Sequence, residues 1–215
     1  MYKKKSIFIT FEGIEGSGKS FQSKKLYKNL KKKKITSILT REPGGTKSAE
    51  KIRDVILKDY FHPESKEKFS KYTDTLLYLA ARNEHIENKI RPAIKKKKII
   101  ICDRFVDSTS AYQIYGKGVN KSFIDSIHKH ILQGLKPDLT FILTSKISKA
   151  MKRLQKRKKK NRYDKFSINF YKKVQKAFVK IAKSNSKRYI VLNNSEDSSE
   201  IEKIIFKKVY KMLLK

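Results

Sequence analysis

Eight consecutive residues, Gly13-Ile14-Glu15-Gly16-Ser17-Gly18-Lys19-Ser20, fill every fixed position of the pattern G-x-x-x-x-G-K-[ST]. The chemistry this spacing suits is phosphate binding. Glycines let successive backbone N–H groups converge on phosphate oxygens, and the N-terminus of a following helix adds a positive dipole. Lys19 can bridge the β- and γ-phosphates of a nucleoside triphosphate. The Ser20 hydroxyl can ligate Mg²⁺, and Phe21 follows it. The plainer alternative is a Gly-rich turn that binds nothing. The pattern does not say where the γ-phosphate goes. A chain of 215 residues has little room for a helicase or transporter engine, and the guanine-reading segment N-K-x-D is absent. A small-molecule kinase fits the length.

Other residues could complete such a site. Arg41-Glu42-Pro43-Gly44-Gly45-Thr46 stands at a strand exit, where ligands gather in an open α/β sheet. A plain turn with surface charges is the alternative. Asp103-Arg104 ends another strand and should open into the same crevice. Asp103 can orient Mg²⁺-bound water, and Arg104 can clamp a phosphate bidentately; a structural ion pair is the bland reading. Tyr78 and Arg82 are four apart and share a helix face. They suit a nucleobase, one stacking and one donating to a carbonyl, although simple packing and a surface arginine explain them too. Arg153 and Arg157 are also four apart, with Arg162 beyond, in a very basic segment at about 152–164. That segment reads as a flap able to close on phosphates, or as a solvated basic helix. His128 and His130 are two apart on a predicted helix, so they point apart and make a poor metal pair. Cys102, in an isoleucine-rich strand, is most simply a small buried hydrophobe.

These residues need elements to position them. Short apolar runs predict strands at 6–11, 36–40, 99–102, 139–144 and 189–192. Helical spacing predicts helices at 19–31, after Thr46 (through Ala49, Ile52 and Ile56), and at 70–90, 108–115, 121–133, 148–160, 167–185 and from 198. In the 70–90 helix Leu76, Leu79, Ile86 and Ile90 keep one stripe, and Pro92 perturbs its end. Residues 60–68 read as irregular. Alternating strands and helices argue for an α/β fold with a parallel sheet and right-handed crossovers. One domain over 1–215 is the economical expectation.

Composition sets the remaining bounds. The net charge is +34, from 54 Lys+Arg against 20 Asp+Glu, yet only nine of the basic residues are Arg. Such a field speaks to solubility and association rather than to fold. It invites a nucleic-acid reading, and equally fits compositional drift toward lysine. With 38% hydrophobic residues the chain can bury a core. One cysteine excludes a disulfide framework. No apolar run approaches the roughly 20 residues of a membrane helix, and no signal peptide is visible, so a cytoplasmic location is expected. Two classes stand at this point: a small-molecule kinase with its acceptor still open, or a basic nucleic-acid-binding protein.

The segments together resemble the thymidylate kinase family. They are 11–20, the run Thr40 to Thr46 (TREPGGT), Leu76-Leu77-Tyr78-Leu79-Ala80-Ala81-Arg82, 103–113 with DR-x-x-x-S-x-x-A-Y-Q, and Pro137-Asp138-Leu139-Thr140. They follow the family's order over nearly the whole chain. The resemblance implies a three-layer P-loop NTPase fold: a five-stranded parallel sheet flanked by helices, with a short mobile lid. It implies γ-phosphate transfer from ATP to dTMP with Mg²⁺. Lys19, Ser20 and the loop amides would hold ATP and the metal, supported by Asp103. Glu15 would contact the acceptor sugar, Glu42, Pro43 and Arg53 line its pocket, and Tyr78 stack on thymine where Phe is usual. Arg82 would reach the base carbonyl, Ser108, Thr109 and Gln113 line the base edge, and Tyr112 crowd the ribose. Arg104 would bind the acceptor phosphate. Because Glu15 stands where some members carry arginine, Arg153, Arg157 and Arg162 become the catalytic lid candidates. A homodimer is implied, with no membrane and no specific nucleic acid. Phe21, Lys117 and Asn161-Arg162-Tyr163-Asp164 depart from common family patterns.

Overall fold

The computed structural model describes residues 6–57, 68–156, 163, 166–195 and 198–214. The strands are β1 (Phe8–Glu12), β2 (Ser37–Arg41), β3 (Ile99–Asp103), β4 (Leu139–Thr144) and β5 (Tyr189–Asn193). Between them run α1 (Lys19–Lys32), α2 (Lys47–Leu57), α3 (Lys71–His85), α4 (Arg91–Lys95), α5 (Val106–Thr109), α6 (Lys121–Leu132), α7 (Ile147–Gln155), α8 (Ile168–Lys183) and α9 (Ser198–Leu213). Every strand pairing is parallel, in the order β2-β3-β1-β4-β5. This is the parallel-sheet α/β architecture that alternating strands and helices predict, with the five strands that the family resemblance implies. Among the described residues no helix is long and apolar enough to cross a membrane.

The sheet forms because its strands are apolar on both sides, as strands covered by helices must be. Phe11, Phe141 and Leu143 pack on one face against Leu26 and Leu30 of α1 and Ile205 and Val209 of α9. On the other face Ile142 meets Tyr171, Val174 and Phe178 of α8. There too Phe8, Ile100 and Phe105 meet Ile86 and Ile90. The register places Asp103 beside both Phe11 and Arg41. The carboxyl ends of β1, β2 and β3 therefore open at one edge, beside the point where strand order reverses.

Three local expectations change. The helix expected over 70–90 is interrupted by a π-helical turn at Ile86–Ile90, where the Arg91 N–H reaches the Ile86 carbonyl five residues back. Pro92 then sits in the first turn of α4 rather than ending the run, at a position where its missing N–H costs little. A second π turn, Ser110–Gly116, widens the helix expected at 108–115 and follows directly on α5. Leu76 is 47% exposed, whereas Leu79, Ile86 and Ile90 are buried. The inward face of α3 instead carries Asp74, Thr75, Arg82 and His85, because it looks onto a polar pocket as well as the core.

Truncating Phe11, fully buried at the centre of the sheet, tests this packing. Phe11→Ala should lower the unfolding free energy in urea by about 3–5 kcal/mol. Val191→Ala, at a 43% exposed site on edge strand β5, should change it by less than about 0.5 kcal/mol.

Candidate active site

The loop between β1 and α1 is clamped from two directions. Gly16 has φ 73°, and a Cβ there would lie 2.3 Å from the Ala150 carbonyl of α7. Gly18, the N-cap of α1, has φ 93°. Beside it Asn194, just past β5, donates from Nδ2 to the Ser17 carbonyl at 2.8 Å. Lys19 lies against this loop and donates to the Ile14 carbonyl at 2.6 Å. Burial, with Arg104 nearby, pulls its pKa down to about 8. The Ser20 hydroxyl bonds the Asp103 carboxylate. Phe21 is 49% exposed, with the Lys25 ammonium above its ring.

The turn after β3 aims Arg104 at that loop. Arg104 itself adopts φ 75°, unusual for a residue other than glycine. Its backbone N–H bonds the Phe11 carbonyl at 2.9 Å. Its guanidinium donates to the Gly13 carbonyl at 3.0 Å, Ser108 Oγ at 2.9 Å and Glu15 Oε1 at 2.7 Å. Tyr112 donates its hydroxyl to the second Glu15 oxygen. Burial opposes charge on both partners, yet Arg104 and Lys19 hold the Glu15 carboxyl below its usual range. Glu15, Tyr112 and acids nearby raise Arg104 against the same burial penalty. Glu12 anchors the turn from below: it accepts from the Phe105 N–H at 2.7 Å and bonds Ser108 Oγ at 2.6 Å. Burial first, then the charge of Asp107, pushes its pKa up to about 8.

A second polar group lies where β2 meets α3. Glu42 takes Arg82 Nε at 2.8 Å and His85 Nδ1 at 3.0 Å, and His85 Nε2 is 2.7 Å from Thr40 Oγ1. Arg82 Nη1 also donates to Thr109 at 2.8 Å. The Tyr78 hydroxyl bonds that of Tyr163, and Arg53 donates to the Pro43 carbonyl at 2.6 Å. Gln113 is 2% exposed, and its Nε2 has no hydrogen-bond partner among the described residues.

A cavity of ≈ 400 Å³ joins the two groups. It is lined by Glu15, Gly16, Gly18, Lys19, Ser20 and Phe21 from the loop and α1, and by Glu42, Pro43, Arg53, Tyr78 and Arg82. Asp103, Arg104, Ser108, Thr109, Tyr112 and Gln113 also line it, with Arg153 at the loop side. Arg153 donates to the Gly16 carbonyl at 3.0 Å and to the Asn194 carbonyl at 3.2 Å. Gly13, Ile14 and Ser17 support the loop from beneath rather than line the cavity; Ile14 is fully buried. Arg157 and Arg162 lie outside the described residues. The cavity can seat a polyphosphate over Lys19 and a second anion near Arg104, with Tyr78, Tyr112 and the Gln113 amide beyond.

Comparison with known proteins agrees. The sequence model of the family described as thymidylate kinase matches residues 11–205. The chain belongs to the thymidylate kinase family. It is similar to the thymidylate kinase of Wolbachia pipientis subsp. Culex pipiens, 44% identical over 94% of this chain and 97% of that one. It is also similar to that of a Sulfurihydrogenibium strain, 40% identical over 92% and 94%. The crystal structure of thymidylate kinase from Ehrlichia chaffeensis superposes with a TM-score of 0.75 at 33% identity, covering 96% of this chain and 99% of that one.

Three residues that brace this cavity without lining it, His85, Glu12 and Asn194, carry little signal in the sequence. His85 lies three residues after Arg82, on the same helix face, a spacing that could have found it. Glu12 was visible only as an acid closing an apolar strand. Asn194 gave no local signal, since its contact with Ser17 spans the chain. The loop geometry is directly testable. Gly16→Ala drives a methyl into the α7 backbone and imposes an unfavourable positive φ. It should raise the Kd for ATP at least about tenfold by calorimetry, an effect near 1.4 kcal/mol.

Proposed function

We propose that this protein transfers the γ-phosphate of ATP to dTMP, giving dTDP and ADP. The observation that carries the reading is one cavity lined by Lys19 of the phosphate loop, by Arg104, and by Tyr78, Arg82 and Gln113. ATP lies along Glu15, Gly16, Gly18, Lys19, Ser20 and Phe21, with Gly13, Ile14 and Ser17 shaping the loop beneath it. The thymine ring stacks on Tyr78, meets Arg82 and is edged by Ser108, Thr109 and Gln113, whose unpartnered amide supplies a donor. Glu42, Pro43 and Arg53 form the remaining wall. Glu15 takes the sugar hydroxyl, and Tyr112 fills the space a 2′-hydroxyl would need.

The acceptor phosphate is a dianion and already a nucleophile, so no general base is required. One of its oxygens forms a bond to the γ-phosphorus as the bond to the β–γ bridging oxygen breaks, and ADP leaves. Catalysis is positioning and charge stabilisation. Lys19 and Arg104 spread the developing charge, and Arg153, Arg157 and Arg162 are the lid candidates for a further cation. The touching Ser20 hydroxyl and Asp103 carboxylate are hard oxygen donors of the kind Mg²⁺ takes together with phosphate oxygens. When bound there, Mg²⁺ neutralises phosphate charge. A closing segment at about 152–164 would exclude water and suppress hydrolysis. A single functional unit over 1–215, a homodimer and a cytoplasmic setting complete the proposal. The exposed Tyr72 and Leu76 on α3 are compatible with a partner there.

Transfer of labelled γ-phosphate across dTMP, dUMP, UMP, dCMP and dGMP tests the assignment. The order expected is dTMP first, dUMP slower because a methyl is worth about 1–3 kcal/mol, and UMP poorer still. A faster rate with UMP or dGMP than with dTMP overturns it. Arg104→Ala should lower kcat/KM by about 10²–10³, by analogy with a lost oxyanion donor. The depressed pKa of Lys19 fixes a sign. Its charge is present below about 8 and lost as pH rises through that value, so kcat/KM for ATP, which reports the free enzyme, should fall above about pH 8.

A further inference from the structure

Arg82 is held by acceptors from three different elements. Glu42, past β2, takes Nε, and Thr109 of α5 takes Nη1. The third is His128 of α6, whose Nε2 lies 2.8 Å from Arg82 Nη1. A guanidinium has only donors. His128 Nε2 must therefore present a lone pair, which places the imidazole proton on Nδ1. Protonating the ring would remove that acceptor and set two cations in contact. Burial and Arg82 together pull the His128 pKa down to about 3, so the ring stays neutral at working pH.

The consequence falls on the remaining nitrogen. With Nε and Nη1 engaged, Nη2 is the amino group of Arg82 that makes no hydrogen bond to any described residue, and Arg82 borders the cavity. His128 does not line that cavity. It touches the site through Arg82.

We propose that His128 is a positioning residue for acceptor recognition. It fixes the rotation of the Arg82 guanidinium so that Nη2 offers its N–H groups to a carbonyl on the pyrimidine edge. A pyrimidine bearing an amino group at that edge meets donor against donor and is rejected. This rests on the reading of Arg82 as the residue that meets the acceptor base. Glu42 and Thr109 fix the near side of the guanidinium, while His128 reaches it from a helix that otherwise stays outside the pocket.

The test uses the full chain with His128→Ala and His128→Gln. Loss of a hydrogen bond to a charged group should raise KM for dTMP about tenfold in His128→Ala, with KM for ATP and Tm unchanged. The preference for dTMP over dCMP should narrow by a similar factor. The Gln amide oxygen can accept from Arg82, so His128→Gln should recover most of both effects. In the parent protein, ¹⁵N NMR should show His128 as the Nδ1–H tautomer, unprotonated at pH 6. Unchanged KM and dCMP discrimination in His128→Ala overturn the proposal. So does a parallel rise in both KM values with a fall in Tm, which marks a merely structural role. So does an imidazole that titrates near its ordinary pKa. Calorimetry separates this from the wider reading: a parent protein that binds no dTMP overturns the acceptor site itself, whereas one that binds dTMP as tightly as its His128→Ala variant overturns only the role of His128.

Discussion

Parallel pairing of β1 with β3 is the constraint on which the site depends. Phe11 sits opposite Asp103 in that ladder, and the Arg104 N–H closes it on the Phe11 carbonyl. The phosphate loop leaves the next turn of β1, and the Asp103-Arg104 turn leaves β3 at the same height. A slip of one residue would send every side chain of the strand to the opposite face. It would separate Arg104 from Gly13 and Glu15, and Asp103 from Ser20. The apolar faces of both strands therefore specify more than a core: they set the distance between two anion-binding groups.

The charges gathered there would be costly alone. Burying an ion requires a partner or several kcal/mol of compensation. Arg104 has Glu15, Arg82 has Glu42, and each acid is further held by a hydroxyl or imidazole. Lys19 is less fully compensated, and its lowered pKa expresses that. The pocket is thus organised before any phosphate enters, as positioning chemistry requires. Triphosphate and monophosphate bring the negative charge that the cationic wall lacks. The same logic explains why a histidine general base is unnecessary, although two histidines stand close by. His85 bonds Thr40 and Glu42, and His128 bonds Arg82.

Much of the fold was legible because its signals are local. Isoleucine-rich runs marked β1 and β3, the glycine pattern marked the loop, and Thr46 caps α2 by accepting from the Ala49 N–H at 3.2 Å. Cys102 is fully buried, as an isoleucine-rich neighbourhood suggests. The π turns were not legible, since one extra residue per turn leaves no mark in apolar spacing; the second of them carries Tyr112 and Gln113 into the cavity. Leu76 was misplaced because periodicity ranks apolar residues by spacing and cannot see that α3 turns a polar face toward a ligand pocket. His128, two residues from His130, suggests in sequence only a poor metal pair. Its actual partner is 46 residues away, and no spacing rule reaches that far.

The central claim is that a triphosphate site and a deoxy-pyrimidine monophosphate site share one continuous cavity across Arg104. A single molecule linking adenosine and thymidine through a polyphosphate of suitable length measures this directly by inhibition kinetics. Competition against both ATP and dTMP, with tighter binding than either substrate, is the result expected. Competition against ATP alone, with dTMP still able to bind, would contradict the claim.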